Sequence, residues 1–492
     1  MAFKDASQAE IDVAVRDAFF TFQSFKNLPS TKRAALLRSM AQEIDGLGQE
    51  LVKTAMEETE LPEARIIAER ARTTGHLKMF ADYIEEGSWV EARIDTAKPD
   101  RAPVPKPDLR KMLMPIGPVV VFGAANFPLA YSTAGGDTAS ALAAGCTVLV
   151  KAHPAHAKTS QLVADAIDRA TYVNGVPKGV FQHVHGAGFE VGQALVKHPL
   201  TKAVGFTGSF AGGKALFDLA NQREEPIPVF AEMSSINPVV LLPQSLKKNF
   251  ADTATKLAAS MVTGVGQFCT NPGLVIAIEH DGLQDFINAL AEKIVAQHPE
   301  TMLHDGIAEN YAKKLRQALS QKGVSIEAEA SGMPGKRQGK AIVASASAST
   351  FMSNPLLAEE VFGPFSLLIR CADRNELHTV ISKLHGQLTA TMIGEESELI
   401  EYQSCFRTLQ EKAGRVIING VPTGVEVCPA MQHGGPFPST TDSRFTSVGT
   451  DAIKRFARPV AFQNCPEALL PNELKEKNPQ NIWRMYNGEW KK

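Results

Sequence analysis

The sequence predicts an α/β protein built from two successive units, each a parallel sheet flanked by helices, with a small extended arm. Three observations lead there. From Pro115 onward, apolar runs of strand length recur at Val119–Phe122, Thr147–Val150, Val180–Val184 and Ala203–Phe206, separated by Ala-rich helical stretches; strands alternating with helices mark a parallel sheet. A second alternating block starts near Pro238 and runs to about Asn419, with Leu274–Ile278, Phe365–Ile369 and Val416–Ile418 as its strands. Finally, 492 residues, 44% of them hydrophobic, exceed what one ordinary core holds.

The first hundred residues read as helical. Apolar positions recur at helical spacing over Lys32–Thr54 and Pro62–Ile84, with Ser30 ahead of the first and Pro62 opening the second. Asp95–Asp108 turns to proline and charge, which suits a surface excursion or an extended arm for assembly. In Ala203–Ala220 a strand runs into Gly208, Ser209, Gly212 and Gly213 and then an amphipathic helix. Glycines let a ligand approach and a helix start attracts phosphate, but the spacing is not G-x-G-x-x-G, so this segment alone stays open between a glycine turn and a phosphate site.

A net charge of -2 gives no field for nucleic acid or an anionic membrane, so the expected partner is a small molecule. Met1 to Phe20 intersperses charge among apolar residues and lacks the continuous apolar core of a secretory signal, and no stretch reads as a membrane span. The six cysteines are scattered without close pairs, which predicts free thiols in a reducing cytoplasm. His153 and His156 have metal-like spacing but no converging third ligand, so no metal site is expected.

Three segments place reactive or strongly hydrogen-bonding residues where a structural chain seldom needs them: FGAANFPLA around Asn126, FAEMSSINP around Glu232 and GQFCTNPG around Cys269. With KAHPAHAKTS at Lys151, FTGSFAGG at Gly208 and EEVFGPF at Glu360, they resemble the aldehyde dehydrogenase superfamily in its usual order, from roughly Phe19 to Phe462. The resemblance implies a Rossmann-like cofactor domain over residues 1–231, completed by about 421–492 and carrying an oligomerisation arm near 90–115. It further implies a catalytic domain over 232–420, an active site between the two, and a homodimer or homotetramer.

Taken alone, Cys269 reads as a buried structural cysteine, Asn126 as a helix cap and Glu232 as a solvated charge. The resemblance makes Cys269 the nucleophile, Asn126 the oxyanion donor and Glu232 the base that activates water on the thioester. Glu232 follows the apolar stretch Ile227–Ala231, and such surroundings predict a raised pKa. The presence of this base points to water, not coenzyme A or phosphate, as acyl acceptor.

For the cofactor, Lys151 matches the lysine that reaches the adenine ribose, Gly208, Ser209 and Gly213 the phosphate turn, Glu360 the nicotinamide-ribose residue, and Phe362 a nicotinamide neighbour. Pro154 stands where NAD-preferring relatives carry glutamate, and His153, His156 and Lys158 offer donors for a 2′-phosphate. NADP or NAD is therefore expected, with NADP accepted; as bare residues the two histidines are ordinary loop residues. Phe127 and Phe437 are expected along the aldehyde channel, and Ala125, replacing the usual aromatic, widens it.

Within the superfamily, EMSSINP, GQFCTNPG and KAHPAH look most like the branch acting on 2-oxoglutarate semialdehyde (2,5-dioxopentanoate), with NADP-linked fatty aldehyde dehydrogenases as near neighbours. A substrate carboxylate wants an arginine or lysine, and Arg444 is the expected choice; Lys106, Arg110 and Lys111 have no assigned place. A reading of another class, a non-catalytic protein on the same scaffold, expects loss of Cys269, Glu232 or Asn126, and all three are present.

Overall fold

The computed structural model describes residues 3–492. Helices Gln8–Phe25, Ser30–Gly46, Gly48–Thr59 and Glu63–Glu86 fill the amino-terminal part. The first starts on a capping box in which Ser7 and Glu10 satisfy each other's backbone amides. The single helix expected over Lys32–Thr54 is two: Leu47, between Gly46 and a left-handed Gly48 (φ +54°), interrupts it.

The first sheet is wholly parallel, in the order Phe181–Val184, Val148–Lys151, Val119–Phe122, Ala203–Thr207, Val229–Glu232. Numbered along the chain this is 3-2-1-4-5, five of the six strands of the dinucleotide-binding arrangement. The order reverses between Val119–Phe122 and Ala203–Thr207, the kind of switch point at which open α/β sheets take ligands. Helices cover both faces, so the inner strands are continuous apolar runs; Val119, Val120 and Val121 are buried. Helix Gly136–Ala144 is buried along its whole length, and its glycine, alanines and serine let it lie close to the sheet and to Glu63–Glu86.

Met233–Pro238 leads directly from the first sheet into the second. That sheet runs Val324–Glu329, Ile342–Ser347, Phe365–Cys371, Leu274–Ile278, Val239–Leu241, Gln387–Ile393, Ala413–Ile418 and is parallel except at its first strand. Leu274–Ile278 pairs with Val239–Leu241, which brings the chain entering one strand beside the chain leaving Glu232. A third, mixed sheet joins Leu109–Pro115 and Arg93–Asp95 to Ala457–Gln463, Arg484–Tyr486 and Glu489–Lys491. Residues 96–108 form the largely exposed proline-rich excursion between two of its strands. Among the described residues no helix is long and apolar enough to cross a membrane.

Candidate active site

Four carboxyl ends of the first sheet present the residues singled out above. Lys151 and Glu232 terminate their strands, Gly208 and Ser209 follow Ala203–Thr207, and Asn126 lies in the loop after Val119–Phe122. Cys269 comes from the second sheet, in the approach to Leu274–Ile278. Its loop is preceded by three consecutive left-handed residues, Gly264, Val265 and Gly266, with φ of +56°, +57° and +64°. A β-branched residue in that region is strained, and Val265 is held there by burial.

Asn237, also left-handed at φ +45°, fixes the cysteine from the other side. Its amide donates to the carbonyls of Cys269 (2.9 Å) and Asn271 (2.8 Å), while its oxygen accepts from Ser235 and Thr389. The Asn126 amide donates to the carbonyl of Gln267 at 3.1 Å, so it meets the same loop. Glu69, buried in helix Glu63–Glu86, accepts from the amides of Leu129 and Ala130 and pairs with Arg65, which itself donates to the Asn126 carbonyl. Both loops facing the sulfur are thus tied to rigid elements.

His433 lies at the centre. Its Nε2 is 3.1 Å from Glu232 Oε1 and 3.5 Å from Cys269 Sγ, and Ser447 donates to Glu232 Oε2 at 2.7 Å. Nδ1 of His433 is buried without a partner. Nε2 donates to the carboxylate. Sulfur, imidazole and carboxylate atoms lie within 4.8 Å of one another, a donor set that sequence spacing did not reveal.

The electrostatics correct one expectation. Burial does push Glu232 upward, but the charge and hydrogen bond of His433, with hydrogen bonds from Ser447 and Cys269, outweigh it and hold the carboxyl below its usual range. Glu232 is therefore ionised at neutral pH. Burial, together with the Glu232 charge, pushes the Cys269 thiol well above the ordinary thiol range. A protonated thiol beside an ionised carboxylate is a donor facing a base.

A narrow cleft adjoins Cys269, lined by Ser235, Phe268, Asn271, Glu360 and Phe362 among others. Burial raises the Glu360 carboxyl to about 7, although Ser234 and the Ser235 amide bond to it. Lys151 is half-buried, meets no carboxylate among the described residues, and is pushed down by burial. An unpaired ammonium at Lys151 and a buried carboxyl at Glu360 are groups of the kind that hold ribose hydroxyls. Exposed Ser209 caps helix Phe210–Asn221, its hydroxyl accepting from Gly212.

Several expected site residues lie elsewhere. Gly213 is buried, and a Cβ there would meet Met233 at 2.6 Å, so it allows close helix–sheet packing and does not face a ligand. His156 is fully buried, with Nε2 2.9 Å from the Ala124 carbonyl, and cannot offer donors to a phosphate. His153 is half-buried and accepts from the Ala155 amide. Arg444 is 79% exposed and paired with Asp442 in its own loop, away from the sulfur. Phe437 is exposed and packs edge-on against Phe210, whereas Phe127 joins Phe268 and Tyr131 beside Cys269. Arg110 is in the third sheet, bonded to Asp108 and Glu476.

His433 and Ser447 escaped sequence reasoning because they arrive 201 and 215 residues after Glu232. The one available signal was the glycine pair that follows the histidine. A Cβ on Gly435 would lie 2.1 Å from the Gln387 carbonyl, so this segment passes tightly over the second sheet.

The aldehyde dehydrogenase family model matches residues 1–459. The chain is 46% identical over 487 residues to the alpha-ketoglutaric semialdehyde dehydrogenase of Acinetobacter baylyi, covering 99% of this chain and 92% of that one. With alpha-ketoglutaric semialdehyde dehydrogenase 2 of Azospirillum brasilense identity is 47% over 488 residues, 99% and 93% of the two chains. Among solved structures, glyceraldehyde-3-phosphate dehydrogenase of Methanocaldococcus jannaschii complexed with NADP has the same fold, with a TM-score of 0.77 at 20% identity over 94% of this chain and 95% of that one. The order of strands, the cysteine set between two sheets and the match over most of the sequence agree: the chain belongs to the aldehyde dehydrogenase family.

Proposed function

We propose that this protein oxidises 2,5-dioxopentanoate to 2-oxoglutarate with a nicotinamide cofactor, through a thioester on Cys269. The observation that carries the chemistry is the cluster in which His433 Nε2 meets both Cys269 Sγ and Glu232 Oε1. Likeness over nearly the whole length to enzymes named for this aldehyde supports the substrate. The cofactor unit is assigned to residues 1–231 with 421–492 and the catalytic unit to 232–420, with assembly through the segment near 90–115.

The thiol proton leaves toward ionised Glu232, and the sulfur adds to the aldehyde carbon. Negative charge develops on the carbonyl oxygen, where the Asn126 amide, exchanging its bond to Gln267, stabilises it. The nicotinamide, when bound, accepts the hydride that leaves that carbon. Glu232 passes that proton to bulk water and then deprotonates a water that attacks the thioester, the second proton going to the departing sulfur as the acid is released and the thiol restored. His433 and Ser447 keep the carboxylate aimed throughout.

Lys151, Ser209 and Glu360 hold the cofactor, with Phe362 alongside. NADP is accepted because position 154 carries no carboxylate and Lys151 and Lys158 are available. The amides of Lys158 and Thr159 are not, since Glu58 caps them at 2.9 and 2.8 Å. A medium-chain aldehyde is the second reading, favoured by the apolar cluster of Phe127, Tyr131, Phe268, Val425, Val427 and Met431.

The test is a panel of 2,5-dioxopentanoate, succinate semialdehyde, hexanal and decanal, each with NAD and NADP. The dioxo acid should lead in kcat/KM, and Cys269→Ala should abolish turnover. Decanal leading by a wide margin would reject the substrate.

A further inference from the structure

Arg444 does not reach the site, so a carboxylate-bearing aldehyde needs another cation. Helix Glu63–Glu86 supplies two arginines seven residues apart, which places both on the face turned toward Cys269. The Arg65 guanidinium lies over the rings of Phe127 (4.4 Å) and Phe268 (4.8 Å), but its charge is met by buried Glu69 at 3.1 Å. Arg72 lies 5.5 Å from the centre of the Tyr131 ring and donates to the Tyr131 hydroxyl at 3.2 Å. Tyr131 packs on Phe127, and its ring centre is 6.5 Å from that of His433. Among the described residues Arg72 meets no carboxylate, although it is half-buried.

A guanidinium partly withdrawn from water and left without a counter-ion is unfavourable unless an anion arrives to meet it. The other unpaired guanidinium near the sulfur, Arg415, has both terminal nitrogens engaged by the carbonyls of Pro422 and Gly424. Arg72 retains free donors in a planar fork suited to a carboxylate. The Arg72 charge also lowers the Cys269 thiol against the effects of burial, so the two groups feel one another.

We propose that Arg72 is the specificity residue that binds the carboxylate at the far end of an ω-oxo acid, while Tyr131, Phe127 and Phe268 flank the carbon chain. This rests on the substrate reading above. The aromatic walls accept the methylene groups, and the arginine fixes how deeply the aldehyde carbon advances toward sulfur. Arg65, already neutralised, holds the Asn126 loop instead.

The experiment compares wild type, Arg72→Gln and Arg72→Lys on 2,5-dioxopentanoate, 5-oxopentanoate and pentanal, which share chain length and differ in charge. Arg72→Gln should lower the ratio of kcat/KM for the anionic aldehydes to that for pentanal by about 100-fold, mainly through KM. Arg72→Lys should recover part of that ratio, and inhibition by 2-oxoglutarate should weaken in parallel. An equal loss on all three aldehydes would make Arg72 a structural residue and overturn the proposal, as would an unchanged ratio. A wild type that favours 5-oxopentanoate over the dioxo acid would reject the substrate reading, while the charge-dependent ratio would still decide for or against Arg72.

Discussion

Nε2 of His433 lies 3.1 Å from Glu232, and the contact reverses what burial alone would do to the carboxyl. With this histidine, Glu232 is anionic in the resting protein and can receive the thiol proton; without it, burial dominates. His433→Gln should therefore move the acidic limb of the kcat/KM profile to higher pH and lower the neutral-pH rate roughly 10- to 100-fold. The same pair carries a stability term. A depressed carboxyl stabilises the fold above its unfolded value, near 4.5, and that contribution disappears as pH falls through the lower folded value. Urea titrations from pH 7 down should show a shallower decline for His433→Gln than for wild type.

Glu232→Gln separates the two half-reactions. It should retain a stoichiometric burst of reduced cofactor, because a thiol freed of the neighbouring negative charge ionises to solvent more readily, but lose steady-state turnover by about 10²- to 10⁴-fold, since water is no longer deprotonated. Removing this charge also removes one cause of the raised thiol, so iodoacetamide should label Cys269 faster than in wild type at pH 8. Slower labelling would contradict the electrostatic account.

Asn237 ties down the Cys269 loop through two backbone carbonyls. Asn237→Ala leaves the Cys269 and Asn271 carbonyls without their amide donor and puts alanine in a left-handed conformation. A loss of about 2–4 kcal/mol in denaturant unfolding is expected. Asn237→Gly removes only the backbone part of that cost and should fall between the two.

Glu360 should make cofactor affinity pH-dependent. Its carboxyl is raised from 4.5 to about 7, so charging it costs free energy, and the cofactor-free protein loses stability as pH rises through that interval. Glu360→Gln should be more stable than wild type at pH 8 and close to it at pH 5 by thermal unfolding. Its cofactor affinity should be weaker by about tenfold at pH 8, where an ionised acceptor would bind a ribose hydroxyl.

Local pattern carried the strands. Val119–Phe122 and Leu274–Ile278 were legible to the residue because both faces of these strands are buried and their apolar runs end abruptly. The break at Leu47 was not, since helical periodicity continues across it. Gly213 was legible as a special glycine, but whether it yields to a ligand or to Met233 depends on what packs above it.

By itself the sequence determined the alternation that makes two parallel sheets and the three segments that place Asn126, Glu232 and Cys269, because each of these is encoded within a few neighbouring residues. Only the tertiary structure decided the charge state of Glu232 and the cation facing the aromatic walls. Both depend on groups far away along the chain, His433 and Ser447 for the carboxylate and Arg72 for Tyr131, brought to within hydrogen-bonding distance by packing. In water Glu232 would titrate as an ordinary acid; removed from solvent, its charge is set by the few dipoles and charges the fold places against it.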